Sequence, residues 1–191
     1  MSNVIARASA SYQRIHNTLV SPDFIDKGTV ATDLKGNIKV ENVSVFYGEN
    51  PALKNISFTI YGGTRTAIIG PTAAGKTQLL YLLTTLIKPK DGSIFYDDVN
   101  ITEYNSGALL SQIGLVFQDS IIFNMTLREN IAFNAEVTED DLQKAIKTAE
   151  LNDFINILPQ GLGTIVSERG SSLSGGQKQR IMLARALAIN P

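Results

Sequence analysis

The sequence predicts a mixed α/β fold, and three observations carry that prediction. A short apolar run, Thr66–Ile69, passes through a glycine-containing loop into a segment whose leucines recur at helical spacing. Ahead of that run the chain reads as short strands separated by turns. Behind it the apolar period changes to that of helices, each opened by a Ser, Thr or acidic residue.

Taken in order, residues 1–20 form a helix with Val4, Ile5, Ala8, Tyr12, Ile15 and Leu19 in one apolar stripe. Ser21-Pro22-Asp23 ends it, and a polar stretch through Asn37 reads as a linker. Strands follow at Ile38–Val40, Val43–Tyr47, Ile56–Ile60 and Thr66–Ile69, with turns at Gly48–Pro51 and Gly62-Gly63. Leu79, Leu80, Leu82, Leu83, Leu86 and Ile87 mark a helix closed by Pro89. Asp91-Gly92 is a turn before the strand Ile94–Tyr96, and Ile113–Phe117 is an apolar run ending in Gln118. Thr138-Glu139-Asp140-Asp141 resembles a capping box before a helix carrying Leu142, Ala145, Ile146 and Ala149. Phe154, Ile155 and Ile157 extend that region to Pro159, and a last helix carries Ile181, Leu183, Ala184, Leu187 and Ala188.

The loop after Ile69 is Gly70-Pro71-Thr72-Ala73-Ala74-Gly75-Lys76-Thr77, which fits the phosphate-binding pattern G-x-x-x-x-G-K-[ST]. Glycines let main-chain N–H groups close around a polyphosphate, and the helix N-terminus adds its positive dipole end. Lys76 is placed to reach the β- and γ-phosphates, and Thr77 to offer its hydroxyl to Mg²⁺. A glycine turn before an ordinary helix is the structural alternative, but the pattern arises by chance in roughly one chain of this length in a hundred.

Composition narrows the classes. Of 191 residues 43% are hydrophobic and 18% charged, which suits a globular chain with a sizeable core. The net charge of −1 offers no basic field for nucleic acid or an anionic membrane. With no cysteine there are neither disulfides nor thiolate metal sites, which fits a cytosolic setting. No run of 18 apolar residues is present, and the N-terminus lacks the layout of a signal peptide.

Leu173-Ser174-Gly175-Gly176-Gln177 opens the last helix, where Ser174 and the glycine N–H groups can face an anion. With this stretch the sequence resembles the nucleotide-binding domain of ATP-binding cassette (ABC) transporters, whose signature reads LSGGQ. The resemblance implies a P-loop core sheet, an antiparallel β-subdomain and a helical subdomain from about residue 119 to 176, within a domain spanning 38–191. It also implies ATP and Mg²⁺ as cofactors. Gly70, Pro71, Thr72, Ala73, Ala74, Gly75, Lys76, Thr77 and Gln78 then hold phosphate, and Tyr47 matches the aromatic that stacks on adenine. Gln118, in Val116-Phe117-Gln118-Asp119, matches the glutamine that senses Mg²⁺ and the attacking water, so Lys76 and Gln118 are the catalytic candidates. Ser174, Gly175, Gly176 and Gln177 contact ATP held by a second nucleotide-binding domain in a head-to-tail dimer. A transmembrane domain is the other implied partner, and the implied location is the cytoplasmic face of a membrane.

Two stretches place the resemblance among exporters. Ser167-Glu168-Arg169-Gly170 is similar to a charged loop, commonly GERG, that faces the membrane domain. Residues 1–37, with Arg7–Ser11 and Arg14-Ile15, resemble the cytoplasmic end of a last transmembrane helix followed by a linker; an amphipathic helix packed on its own domain is the alternative. The implied function is ATP binding and hydrolysis that drives export. A soluble ABC-type ATPase acting on DNA or ribosomes, and a non-catalytic nucleotide-binding fragment, are the alternatives.

Departures matter too. Ala73-Ala74 stands where the family more often has Gly-Ser, Gln78 where a hydroxyl is common, and Ser167 where the exporter loop has glycine. The family's next strand ends in Asp-Glu and precedes a switch histidine; here the chain stops at Asn190-Pro191, so a C-terminally incomplete domain is expected. Ile94–Asp98 imitates that strand but precedes Gln118 and the signature, and reads as a hairpin strand. His16, the one histidine, lies on the first helix, far from where a switch histidine belongs. Two expectations follow. This polypeptide alone does not turn over ATP at a useful rate, and the strand at 66–69 has an exposed edge.

Overall fold

In the computed structural model, residues 2–19, 28–119, 121–133, 136–167 and 170–191 are described. Helix α1 spans Ser2–Leu19. Its described side chains, Arg7 and residues 9–16, are all exposed, with Tyr12 and His16 stacked 5.7 Å apart. Residues 28–37, read from composition as a linker, are tied to the rest of the chain. Thr29 and Val30 donate main-chain N–H groups to the Glu103 carbonyl, and Asn105 donates to that of Val30.

The sheet has four antiparallel strands in the order β2-β1-β3-β4. Strand β1, Ile38–Tyr47, is continuous where two strands were expected. A bulge absorbs Glu41 and Asn42, with Asn42 at φ +51° and its N–H donated to Ser57 Oγ. Strand β2 is Asn50–Ile60, so the expected turn at Gly48–Pro51 contracts to Gly48-Glu49. The short loop sets the register Tyr47 opposite Asn50 and Phe46 opposite Pro51.

Helix α2, Lys76–Leu83, is shorter than the leucine pattern predicted. Thr84 caps it and Thr85 turns left-handed at φ +58°, which leaves Leu86 outside the helix and half exposed. Strand β3, Asp91–Tyr96, pairs with β1 and turns through Asp97-Asp98 into β4, Val99–Asn100. Ile94–Asp98 is therefore the hairpin expected of it. The carboxylate of Asp97 accepts main-chain N–H groups from Lys35, Gly36 and Asn37.

The strand expected at Thr66–Ile69 is not formed, and the run Ile113–Phe117 is likewise irregular. Neither finds a ladder partner among the described residues, and a strand without one leaves its N–H and C=O groups to water. Ile69 is 92% exposed.

Two apolar clusters organise the interior. In the first, β1, β3 and α2 share Val40, Val43, Ile94, Leu79 and Leu82, with Leu109 from α3, Ser106–Leu110. The second lies among α4 (Leu127–Ala132), α5 (Glu139–Thr148) and α7 (Gly175–Ala188), where Ile131, Leu142, Ile146, Ile181 and Ala184 are fully buried. Short helix α6 is Asn152–Asn156. Thr138 caps α5 as expected, its hydroxyl accepting the Asp141 N–H.

Candidate functional site

The site begins as a problem of backbone conformation. The loop 70–75 must reverse direction and deliver its N–H groups to the first turn of α2. Gly75 does so at φ +83°, packed so closely on β2 that an added Cβ would stand 2.5 Å from the Ala52 carbonyl oxygen. Ala73 also sits left-handed, at φ +65°, a conformation that costs an L-residue about 1–2 kcal/mol. Ala73 is one of the two positions where the resemblance drawn from the sequence implies a different small residue, here glycine.

Lys76 is half-buried, and its ammonium donates to the carbonyl oxygens of Gly70 at 2.9 Å and Pro71 at 2.7 Å. The hairpin turn brings Tyr47 to the same place. Together with Ala52, Ala73, Ala74, Gly75, Lys76, Thr77 and Gln78 it lines a cavity of about 350 Å³. Tyr47 donates its phenol to Gln78 Oε1 at 2.7 Å. Ala52 and the Tyr47–Gln78 bond escaped the sequence reading; the hairpin register was the signal that could have found Ala52.

Not every expected residue is gathered there. Gly70, Pro71 and Thr72 belong to the same loop but do not line the cavity. Gln118 is exposed and also absent from its lining, although its neighbour Phe117 lies against Tyr81 of α2, ring centres 6.2 Å apart. Ser174–Gln177 form a second feature at the exposed start of α7. The Ser174 hydroxyl accepts the Gln177 N–H, and Gln177 Oε1 accepts the Ser174 N–H at 2.7 Å, which is a reciprocal capping box. A Cβ on Gly175 or Gly176 would meet no atom within 4 Å, so this end of α7 lies open. Of the exporter-like loop, Glu168 and Arg169 fall outside the described residues.

The donor set suits a polyphosphate. An exposed loop presents N–H groups at a helix N-terminus beside an ammonium held only by neutral carbonyls. A phosphate oxygen adds a full opposite charge that those carbonyls lack, so the ammonium favours it over them. For a magnesium ion the cavity offers the Thr77 hydroxyl, and Mg²⁺ commonly keeps waters and phosphate oxygens alongside one or two protein ligands. No cluster of three acidic or histidine side chains exists among the described residues.

Comparison with known proteins decides the family. The profile described as "ABC transporter" matches residues 53–191. This chain belongs to the ABC transporter family. It is 38% identical, over 99% of its length, to an uncharacterized ABC transporter ATP-binding protein, YknU, of Bacillus subtilis, covering 33% of that protein. It is 38% identical over 98% of its length to the ATP-dependent lipid A-core flippase of Desulfotalea psychrophila, again covering 33%. The mitochondrial iron-sulfur clusters transporter ATM1 of Candida glabrata is 43% identical over 78% of the chain, which covers 21% of it. In three dimensions, a bacterial Atm1-family ABC exporter solved with ATP bound superposes with a TM-score of 0.84 and 32% identity; all of this chain and 34% of that one are covered. The chain thus corresponds to the ATP-binding domain of exporter-type members, and spans about a third of the length of the first of these relatives. No helix among the described residues is long and apolar enough to cross a membrane.

Proposed function

We propose that this chain binds ATP with Mg²⁺ in the cavity between Tyr47 and the first turn of α2, and that the transporter it belongs to hydrolyses ATP to drive export. One observation carries the reading. Folding brings Tyr47, at the end of β1, onto the same cavity as Gly75, Lys76 and Thr77, so a π-face and a phosphate cradle share one space. Tyr47 stacks on the adenine, a contact worth about 1–3 kcal/mol. The Lys76 ammonium exchanges the Gly70 and Pro71 carbonyls for phosphate oxygens. Thr77 would hold Mg²⁺ through its hydroxyl, and the ion would supply charge neutralisation for phosphoryl transfer. Gln118, which follows the Phe117 ring packed against Tyr81 of α2, is the residue that senses that ion.

Ser174, Gly175, Gly176 and Gln177 complete the site of a second nucleotide-binding domain, which suits their exposure and their absence from the Tyr47 cavity. A transmembrane domain is the other partner, joined through residues 1–37. The exposed side chains of α1 favour that connection over packing on this domain. The 191 residues by themselves bind ATP without turning it over, because no Asp-Glu pair follows the signature within them.

Titration with a fluorescent ATP analogue in the presence of Mg²⁺ tests the reading. Saturable binding displaced by ATP and reduced at least tenfold in Lys76→Ala supports it. Unchanged affinity in Lys76→Ala overturns it, and steady ATP hydrolysis by the chain, abolished in that variant, overturns the claim of no turnover.

A further inference from the structure

Tyr47 projects from the end of β1 and is 56% exposed, so packing restrains its ring only in part. What restrains it further is its hydroxyl, donated to Gln78 Oε1 at 2.7 Å across a separation of 31 residues. Gln78 lies on the first turn of α2, two residues after Lys76, and both it and Tyr47 line the same cavity. The bond therefore runs from the element that would hold the base to the element that would hold the phosphates. An unrestrained tyrosine at a strand end samples several rotamers, and binding a flat ligand has to immobilise it at an entropic cost. A ring already anchored has less freedom left to lose.

We propose that Gln78 is a positioning residue for nucleotide binding, one that acts through Tyr47 by holding its ring as a wall of the cavity before the base arrives. The proposal rests on the ATP-binding reading above and adds to it a cause of affinity. Tyr47 contributes through its hydroxyl as well as its ring. Gln78, which the family resemblance placed on phosphate, instead has its side-chain oxygen taken by Tyr47 and contributes through that ring. Because the phenol is spent on Gln78, the base is met by the ring face alone. Gln78 and Tyr47 are each reached by solvent, so removing one partner leaves the other hydrated and not stranded in an apolar interior. The effect of breaking the bond then falls on ligand binding and leaves stability almost unchanged.

The experiment is a double-mutant cycle read with two competitors, ATP and inorganic triphosphate, each displacing a fluorescent ATP analogue from the 191-residue chain with Mg²⁺ present. Tyr47→Phe keeps the ring and removes the donor; Gln78→Met keeps an unbranched side chain and removes the acceptor. Each is expected to weaken ATP about fivefold, within the range of one net hydrogen bond. The double variant is expected to be no weaker than either single one, and triphosphate affinity is expected to stay unchanged in all three. Urea midpoints matching the parent chain show that the variants are folded.

Wild-type ATP affinity in Tyr47→Phe overturns the proposal while leaving the ATP-binding reading intact. So do losses that multiply in the double variant. A parallel loss of triphosphate affinity in Gln78→Met overturns it by placing Gln78 on the phosphates. If the parent chain binds neither competitor, the ATP-binding reading itself fails, and the role of Gln78 fails with it.

Discussion

Arg185 of α7 holds Asn130 of α4 from two sides, donating Nε to the Asn130 carbonyl at 2.7 Å and a terminal nitrogen to its Oδ1 at 3.2 Å. The same guanidinium reaches the Ile121 carbonyl at 3.1 Å and lies over the ring of Phe133 at 4.7 Å. Asn130 is fully buried, and its amide also donates to the carbonyls of Phe123, Met125 and Thr126. The helix that begins at the signature is thus bolted to the loop that follows Gln118. Partial burial lowers the pKa of Arg185, yet a guanidinium stays charged at any working pH.

Asn130→Ala is expected to destabilise the chain by about 3 kcal/mol, because several buried groups lose partners at once. Arg185→Lys costs less, about 1–2 kcal/mol, since an ammonium cannot reproduce the planar fork. Urea denaturation of both singles and the double should show a coupling of at least 0.5 kcal/mol. Strict additivity would mean that the contact is energetically idle.

The phosphate loop makes opposite demands at two positions. Gly75→Ala places a Cβ 2.5 Å from the Ala52 oxygen and 2.7 Å from Leu53 Cδ2 at a left-handed φ, so ATP-analogue affinity should fall at least tenfold. Ala73→Gly relieves the strain at φ +65°, partly offset by glycine's greater unfolded entropy, and should tighten binding about twofold. A loss of affinity in Ala73→Gly would show that the loop binds in another conformation.

Asp97 sets a pH window. Partial burial works against its charge, but N–H donors from Lys35, Asn37 and Gly36, with the Asn37 amide, outweigh that and hold the carboxyl below the usual range. A folded pKa below the unfolded value of about 3.9 means that the contribution is complete well above pH 4. It is lost as pH falls from there through the folded pKa. The stability advantage of the parent chain over Asp97→Asn should stay constant from pH 7 to about 5 and shrink below 4. An advantage that grew on acidification would contradict the assignment.

Ser174 and Gln177 satisfy each other's main-chain N–H groups. Ser174→Ala should cost about 1 kcal/mol in urea, and Gln177→Ala a comparable amount. The double variant should fall short of their sum, because one reciprocal box is being removed twice. Two fully additive losses would show that the two bonds form independently.

Much of this protein was legible before folding was considered. The phosphate loop, the LSGGQ start of α7, the Thr138 cap and the Ile94–Asp98 hairpin each depend on residues within a few positions of one another, where dihedral preference and capping act directly. The misreadings had a common cause. Thr66–Ile69 has the composition of a buried strand, but strandedness needs a partner, and a partner is a tertiary fact. The leucines of α2 kept helical spacing past Leu83, while Thr84 and Thr85 turned the backbone out of it.

The sequence by itself determined the local devices the chain carries: a glycine loop of the phosphate-binding pattern and a capped glycine helix start, both written in contiguous residues. Only the tertiary structure decided how they are arranged. It put Tyr47 against Gln78 across 31 residues, Arg185 against Asn130 across 55, and Asp97 beneath Lys35 across 62. Hydrogen bonds at such separations leave no periodic trace in a sequence, because their geometry exists only after the sheet register and the helix packing have been set.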